Sequence, residues 1–281
     1  MKTNAIARII VWSLVLVICL GALLYGLYRP RGVTWGEMEA VAPTETIFVP
    51  VEQLEIVEPV QKLNITWPSG SVTIQPGDVQ TIEVAESPVS DPKYAMVCTR
   101  EGDTLTIRYQ KESSFLSIGS SLKKDLTVTV PRDWRGKKLK VDTASAALKV
   151  EQLSIDQVEL DAASGISVFD GCTVEELEVD TASGDLDYTG RLGELDVDAA
   201  SANVTAKLSN VPDSIELDSA SGSLDLTLPA DAGFTAKISS ASGRLTSEFA
   251  TTQEGKRYVC GDGACKIEAG TASGNVTLRK G

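Results

Sequence analysis

The sequence predicts an all-β protein, a single-stranded β-solenoid with one coil per repeat, preceded by one N-terminal transmembrane helix. Three observations support this prediction. A corner of tiny residues returns at nearly constant spacing, apolar and polar residues alternate between the corners, and an uncharged apolar run lies near the start of the chain. Helical periodicity is nearly absent after that run.

An internal repeat decides the fold class. Seven segments contain Ala-Ser followed by Gly or Ala, and five of them begin with Asp. The corner alanines are Ala144, Ala163, Ala182, Ala200, Ala220, Ala241 and Ala272. The first six lie at nearly equal intervals along the chain, and the interval before the last is longer. A fixed period of roughly 20 residues is typical of proteins built from stacked repeats.

The residues between the corners indicate strands. Leu177 and Val179 alternate with Glu178, for example, and this period of two places one face in a core and the other in water. A repeat this short cannot bury its apolar face alone, so consecutive repeats must stack. Tiny residues at the corners allow successive backbones to approach closely and turn.

We predict four parts in the chain. They are a short cytoplasmic tail over 1–8, a transmembrane helix over 9–27, a stalk or linker over 28–51, and a β-solenoid domain over 52–281, with irregular coils over 52–140 and regular Ala-Ser-Gly repeats over 141–281. Pro30, Pro43 and Pro50 favour an extended stalk.

The apolar run from Ile9 to Leu27 carries no charge and lies between Arg8 and Arg29. A helix of that length, at about 1.5 Å per residue, crosses a hydrocarbon core of roughly 30 Å. A cleaved signal peptide is the alternative, but the run exceeds the usual signal core and no small-x-small site follows closely. The short tail favours an exported C-terminal body. We therefore expect a single-pass cell-membrane protein with an extracytoplasmic domain.

The composition excludes several functional classes. The chain has 39 acidic and 26 basic residues, a formal net charge of −13. Nucleic acid is an unfavourable partner, because its binding depends on Lys and Arg that neutralise phosphates. The chain has no histidine, so Ser-His and Cys-His nucleophile pairs and His-containing zinc sites are excluded.

A row of carboxylates is the candidate site with the clearest spacing. Stacking of the repeats brings Asp142, Asp161, Asp180, Asp198 and Asp218 to about 5 Å spacing along one edge. The functional interpretation is that Ca²⁺ or another cation bridges them. The structural interpretation is that each Asp accepts hydrogen bonds from backbone N–H groups in its own corner.

Two cysteines bracket a turn sequence near the end of the repeats. If Asp262-Gly263 forms a type I′ turn, then Cys260 and Cys265 lie opposite each other in a hairpin, at a separation that a disulfide tolerates. Two free thiols are the alternative, and a metal site lacks further ligands. A disulfide would agree with export.

The repeated corners give the chain a resemblance to a known family. Matching segments are the corners at 143–146, 162–165, 181–184, 199–202, 219–222, 240–243 and 271–274, together with Val130-Pro131 and Gly261-Asp262-Gly263. With these features the chain resembles the putative adhesin family of bacterial envelope β-solenoid proteins, a family of unknown molecular function. The resemblance implies a membrane-anchored domain and, for some members, a link to envelope-stress sensor systems. It implies no catalytic residues.

These observations favour a non-catalytic surface or envelope interaction module. We expect its partner to be an envelope polymer reached through divalent cations, or a membrane or envelope protein. A carbohydrate-active enzyme is one alternative, with Asp185 and Asp187, or Asp196 and Asp198, as carboxylate pairs. A cation-stabilised spacer, or a regulator of envelope-stress signalling, is the other.

Overall fold

The structure is a computed structural model that describes residues 59–89, 94–110 and 123–281, together with the backbone of 47–50. It is an all-β arrangement of strands, as predicted. The strands are β1 (Ile47–Pro50), β2 (Lys62–Thr66), β3 (Gly70–Gly77), β4 (Glu83–Ser87), β5 (Val97–Glu101), β6 (Thr104–Arg108), β7 (Lys124–Pro131), β8 (Arg135–Thr143), β9 (Ala147–Glu151), β10 (Ser154–Ser201), β11 (Val204–Leu208), β12 (Ser214–Ser221), β13 (Leu224–Leu228), β14 (Phe234–Ser240), β15 (Leu245–Ser247), β16 (Thr252–Glu254), β17 (Arg257–Cys260), β18 (Cys265–Ser273) and β19 (Val276–Lys280).

The expected membrane helix over 9–27 lies outside the described residues. Within the part of the chain that the structure describes, no helix is long and apolar enough to cross a bilayer. The last part of the expected stalk, β1, pairs antiparallel with β4. β1 thus adds a strand to the sheet within the range predicted for the stalk, 28–51.

Parallel pairing between repeats builds the middle of the domain. β10 continues for 48 residues through successive corners, and its first part pairs with β8 so that Asp161 lies opposite Asp142. Its last part pairs with β12, where Asp198 lies opposite Asp218. A second row of strands pairs in the same way, with Leu186 opposite Val204 and Val204 opposite Leu224. Equivalent residues of successive repeats thus lie opposite each other in parallel strands.

Alternation along each strand directs one set of side chains into a continuous core. Leu177 and Val179 are buried and Glu178 is exposed, and the same alternation recurs through the buried cluster. Phe169 and Tyr188 stack at a ring-centroid distance of 5.9 Å within this core. Apolar residues of one coil thus pack against apolar residues of the next, because the strands alternate with a period of two and pair in register.

The order of the coils departs from chain order at both ends. β2 pairs in parallel with both β6 and β8, and β3 pairs with both β7 and β9. At the other end, β18 pairs with both β12 and β14, and β19 pairs with both β13 and β15. The expectation that consecutive repeats stack is therefore wrong at each end. The coil of β2 and β3 lies between the coil of β6 and β7 and the coil of β8 and β9. The coil of β18 and β19 lies between the coil of β12 and β13 and the coil of β14 and β15.

Antiparallel strands explain this exchange of order. β17 pairs antiparallel with β14 and carries β16 as its hairpin partner, so the coil with β14 and β15 becomes the outer layer. The coil that follows in the sequence, which contains β18 and β19, then lies between β14 and β12. At the N-terminal end, β5 and β4 pair antiparallel with β6 and β7. Covering an edge in this way limits its exposed backbone groups.

A buried ion pair holds the N-terminal end together. The Lys124 ammonium lies 2.7 Å from Glu86 Oε1, and both side chains are at most 3% exposed. Lys124 also donates to the carbonyl oxygens of Tyr94 at 2.7 Å and Gln110 at 3.0 Å. Glu86 Oε2 accepts the N–H of Met96 at 2.6 Å. One cation thus joins β7 to three other segments.

Replacing Lys124 by Met should leave the Glu86 carboxylate buried without its counter-charge. We expect the Lys124→Met variant to lose about 3–5 kcal/mol in the free energy of unfolding, measured by urea titration of the full chain. The double variant Lys124→Met/Glu86→Leu should recover part of this loss. Lys149→Met, which removes the more exposed Lys149–Glu151 pair, is the control and should cost less than about 1 kcal/mol. Equal losses for the two lysines would contradict the prediction.

Candidate functional site

The five aspartates of the predicted row come together on one surface of the domain, and we call them the ladder: Asp142, Asp161, Asp180, Asp198 and Asp218. Asp142 and Asp161 are directly paired across strands, as are Asp198 and Asp218. Asp180 interacts electrostatically with both Asp161 and Asp198, which places it between the two pairs. The row ends at Gly270, which lies opposite Asp218 in β18.

A second row of acidic residues lies beside the ladder, and sequence reasoning had not identified it as a row. Each of its members precedes a ladder Asp by two positions and therefore faces the same side of the strand. We define the acidic face as Glu159, Asp161, Glu178, Asp180, Asp196, Asp198, Glu216 and Asp218. Asp196 lies directly opposite Glu216 in this second row. Two adjacent rows of carboxylates thus cover the central coils.

Lysines border the acidic face at both ends. Lys140 Nζ lies 3.0 Å from Asp161, 3.5 Å from Glu159 and 3.9 Å from Asp142. A hydrogen bond from Lys138 lowers the pKa of the Glu159 carboxyl. On the far side, Lys237 pairs with Glu268 at 3.0 Å. Positive charge that neutralises carboxylates therefore lies at the borders of the face.

Two carboxyl groups in the centre of the face, those of Asp180 and Asp196, have raised pKa values. Partial burial raises the pKa of Asp196 to about 6, with Glu216 and Asp198 as the next causes. Partial burial and the neighbouring Asp161 and Asp198 raise the pKa of Asp180 to about 6. Asp196 is exposed at the surface, so screening by water reduces the effect of this pKa shift on folding stability. Ionisation of the Asp180 and Asp196 carboxyl groups therefore lowers the free energy of unfolding.

The carboxylates of the acidic face do not form a convergent metal site. Across residues 59–89, 94–110 and 123–281, the structure contains no group of three or more His, Cys, Asp or Glu side chains placed to hold a metal ion. The physical reason is that cross-strand neighbours project outward in parallel from the sheet rather than toward a common point. The Ca²⁺ hypothesis for the ladder therefore gains no support from the side-chain geometry.

A different polar row connects the coils just after the corners. Asp185 Oδ1 accepts the N–H of Asn203 at 3.0 Å, and Asn203 Oδ1 accepts the N–H of Ser223 at 3.4 Å. Ser223 Oγ then accepts the N–H of Asn275, and Asn275 Oδ1 accepts the N–H of Arg244 at 3.1 Å. This row thus makes side-chain contacts to backbone N–H groups of the kind expected of the ladder aspartates. Its sequence signal is the polar residue that follows Ala-Ser-Gly or Ala-Ser-Ala.

The corner glycines are required by close approach between coils. A Cβ atom on Gly222 would lie 1.9 Å from the carbonyl oxygen of Ala202, and one on Gly274 would lie 1.7 Å from that of Gly222. Such distances are far inside van der Waals contact. The tiny-residue corner is therefore a packing requirement that the stacked backbones impose.

Cys260 and Cys265 do not form the predicted hairpin pair. Both are free thiols, and they lie in β17 and β18, which flank β14 on opposite sides. Each is in register with Phe234, so two inter-strand spacings, roughly 9.5 Å, separate them. A disulfide requires Cα atoms within about 7 Å. The disulfide hypothesis fails because β14 occupies the place that the partner strand was expected to take.

Placing a methyl group at Gly222 should disrupt the stacking of two coils. We expect Gly222→Ala to lower the free energy of unfolding by about 1–3 kcal/mol, because the new Cβ overlaps the Ala202 carbonyl oxygen. Ser221→Ala, at the exposed neighbouring position, is the control and should change stability little. Urea titrations of both variants measure the difference, and an unchanged Gly222→Ala midpoint would refute the packing requirement.

Removing one crowded carboxylate should stabilise the protein at neutral pH. Because the pKa of Asp196 is raised to about 6 in the folded state, against about 3.9 when unfolded, ionisation between pH 4 and 6 weakens folding. We expect Asp196→Asn to raise the free energy of unfolding by about 1 kcal/mol at pH 7.5, after allowing for solvent screening, and by little at pH 4.

The comparison of Asp196→Asn with its parent is made by urea titration across this pH range. Asp187→Asn, at an exposed position in the second row of strands, is the matched control for the change from carboxylate to amide. A stability difference for Asp196→Asn that is constant with pH would contradict the assignment.

Comparison with solved structures finds matches at low sequence identity. A protein described as a "putative adhesin" from Bacteroides fragilis is 13% identical, with a TM-score of 0.47, covering 85% of this chain and 100% of that one. A "putative cell adhesion protein" from Clostridium sporogenes is 11% identical, with a TM-score of 0.37, covering 84% and 99%. A "putative lipid binding protein" from Parabacteroides distasonis is 14% identical, with a TM-score of 0.37, covering 83% and 96%. At these values the likenesses carry no argument about function.

The family comparison is more extensive. No curated protein matches the chain. The model of the Toastrack DUF4097 family matches residues 60–279, which include every corner of the repeat. The resemblance inferred from the corners is thereby confirmed. The chain belongs to the Toastrack DUF4097 family, a family of unknown function.

Proposed function

We propose that the protein is a membrane-anchored, non-catalytic module of the bacterial envelope that binds a positively charged segment of another envelope protein. The acidic face is the binding surface. Residues 9–27 anchor the chain in the cell membrane, and the β domain lies outside the cytoplasm. The apolar run Ile9–Leu27 and the short tail before it support this placement.

The observation that carries the proposal is the uninterrupted acidity of the central coils. Like charges directly opposite each other in a sheet destabilise it. Asp198 faces Asp218 and Asp196 faces Glu216, and the pKa values of Asp180 and Asp196 are raised to about 6. The raised pKa values mean that ionising Asp180 and Asp196 costs folding stability, whereas a cationic partner would gain from the field of two adjacent rows.

The carboxylate pairs named for the carbohydrate-active alternative are poorly suited to hydrolysis. Asp185 of the first candidate pair accepts hydrogen bonds from both the N–H and the side-chain amide of Asn203, so it has a structural partner. Asp196 and Asp198 of the second pair lie two positions apart on one strand and project from the same side. Glycosidic cleavage requires two carboxylates on opposite sides of the bond. The geometry therefore supports binding over hydrolysis.

A binding experiment with a matched control tests the acidic face. The full chain in detergent is titrated with a short polylysine peptide, and binding is measured by isothermal titration calorimetry at low and physiological salt. The variant Glu178→Gln/Asp180→Asn/Asp196→Asn/Asp198→Asn should bind at least about tenfold more weakly, because four adjacent charges are lost from one surface.

The control variant removes four acidic charges elsewhere. Asp133→Asn/Asp187→Asn/Asp231→Asn/Glu254→Gln changes the net charge equally at exposed positions outside the acidic face. It should weaken binding no more than about threefold, because these charges lie apart from one another. Equal losses for the two variants would show that net charge alone attracts the peptide, and the assignment of the face would then be wrong.

A further inference from the structure

The surface that carries the acidic face continues onto the N-terminal coils, where its charge changes sign. Lys62 of β2 is paired across strands with Lys138 of β8. In the same two strands Thr66 lies opposite Asp142 of the ladder, and on its other side Thr66 lies opposite Arg108 of β6. Residues that are two positions apart, or directly opposite each other, project from the same side of a sheet. These cations and the ladder therefore share one surface.

The cations of the N-terminal coils form one group. We define the basic end as Lys62, Arg108, Lys137, Lys138 and Lys140. Arg108 and Lys137 are exposed, and the Lys62 side chain is 42% exposed. Lys62 Nζ lies 3.3 Å from Asp103, and Lys137 interacts with the same carboxylate, so two lysines share one negative charge. The basic end therefore presents net positive charge to the solvent.

The central coils have almost no positive charge of their own. Arg191 and Lys207 are the only basic residues between 152 and 233. Lys207 belongs to the second row of strands, and Arg191 lies just after the segment of β10 that pairs with β11. Both therefore lie off the acidic face. One surface thus has a basic half and an acidic half along the stacking direction, with Lys140 at the border between them.

We propose that this surface, the basic end together with the acidic face, binds the same surface of a second copy of the chain. In a two-fold symmetric dimer the same patch supplies both sides of the interface, so the patch must be complementary to itself. A two-fold axis in the plane of the interface, parallel to the strands at the border between β8 and β10, reverses the order of the coils. It places Lys62 over the coil of Glu178 in the other chain, and Arg108 over the coil of Asp196.

The dimer gives the acidic face an occupant within the protein itself, and in this the inference goes beyond the proposed function. A cationic segment of another protein and the basic end of a second copy compete for the same carboxylates. Self-association therefore limits access to the acidic face, and a cationic partner separates the two copies.

The overlapping area is sufficient for a specific contact. Three coils lie on each side of the border, those of β6, β2 and β8 and those of Asp161, Asp180 and Asp198. At about 4.8 Å per coil, and about 3.3 Å per residue along strands of roughly seven residues, the contact measures roughly 29 by 23 Å. Two such surfaces bury roughly 1,300 Å², which lies within the range of about 1,200–2,000 Å² for specific interfaces.

The full chain in detergent tests the self-association directly. Sedimentation equilibrium in a solvent that matches the density of the detergent should show a dimer at about 0.05 M salt and a monomer at about 1 M salt, where charges are screened within about 3 Å. A short polylysine peptide should also convert the dimer to monomer, because it occupies the same carboxylates. A monomer at low salt, or a dimer that persists while polylysine is bound, would overturn the proposal.

Reversal of charge in two variants tests which surfaces meet. The variants are Lys62→Glu/Arg108→Glu in the basic end and Glu178→Lys/Asp196→Lys in the acidic face. Each variant alone places like charges over each other, so it should self-associate at least about tenfold more weakly than the parent. An equimolar mixture of the two should regain the affinity of the parent, because each altered surface then meets the opposite charge. This recovery also shows that both variants are folded.

A control variant reverses the same number of acidic charges elsewhere. Asp187→Lys/Asp231→Lys changes exposed positions outside the acidic face and should dimerise as the parent does. A mixture of the two test variants that stays monomeric, while the parent dimerises, would show that the dimer uses another surface and would overturn the assignment. Binding of polylysine to the parent is measured separately, so failure of this inference is distinguishable from failure of the proposed function.

Discussion

In-register parallel stacking is the constraint on which the other features of this domain depend. It places each residue about 4.8 Å from its equivalent in the neighbouring coils. At the corners this distance leaves no room for a Cβ between the backbone of Gly274 and the carbonyl of Gly222. In the core the same register packs the apolar side chains of one coil against those of the next. The residues after the corners become a continuous polar row from Asp185 to Arg244.

Stacking also explains why the surface is organised in rows of like charge. A repeated sequence puts carboxylate above carboxylate, and nothing in the repeat itself supplies the opposite sign. The borders differ, because Lys140 bridges three carboxylates where the regular repeats begin. In the centre of the acidic face the carboxylates crowd one another, and the pKa of Asp180 is raised to about 6. The charge of this surface therefore changes from one repeat to the next, although the backbone pattern of the repeats stays constant.

Local constraints were readable from the sequence, and pairings between distant segments were not. The Ala-Ser-Gly corners predicted the all-β fold, because their spacing directly reflects one coil of backbone. The positions of Asp142 and Asp161 followed from the same period. The failure at Cys260 and Cys265 has a different origin, since a turn sequence such as Asp262-Gly263 does not reveal that β14 lies between the strands it joins. The sequence analysis gave Asp185 as one of a carboxylate pair and did not predict its hydrogen bonds, because its partner, Asn203, is one coil away.

The exchange of order at the C-terminal end bears on how the chain reaches its final state. β18 and β19 form an interior layer between β12–β13 and β14–β15, although they are made after all of these strands. During synthesis, β14 and β15 cannot occupy their final positions until β18 and β19 have emerged. Loss of residues 265–280 would remove a layer from inside the stack and leave the outer coil without its support. Assembly of this end is therefore an insertion and not a simple extension from the ribosome outward.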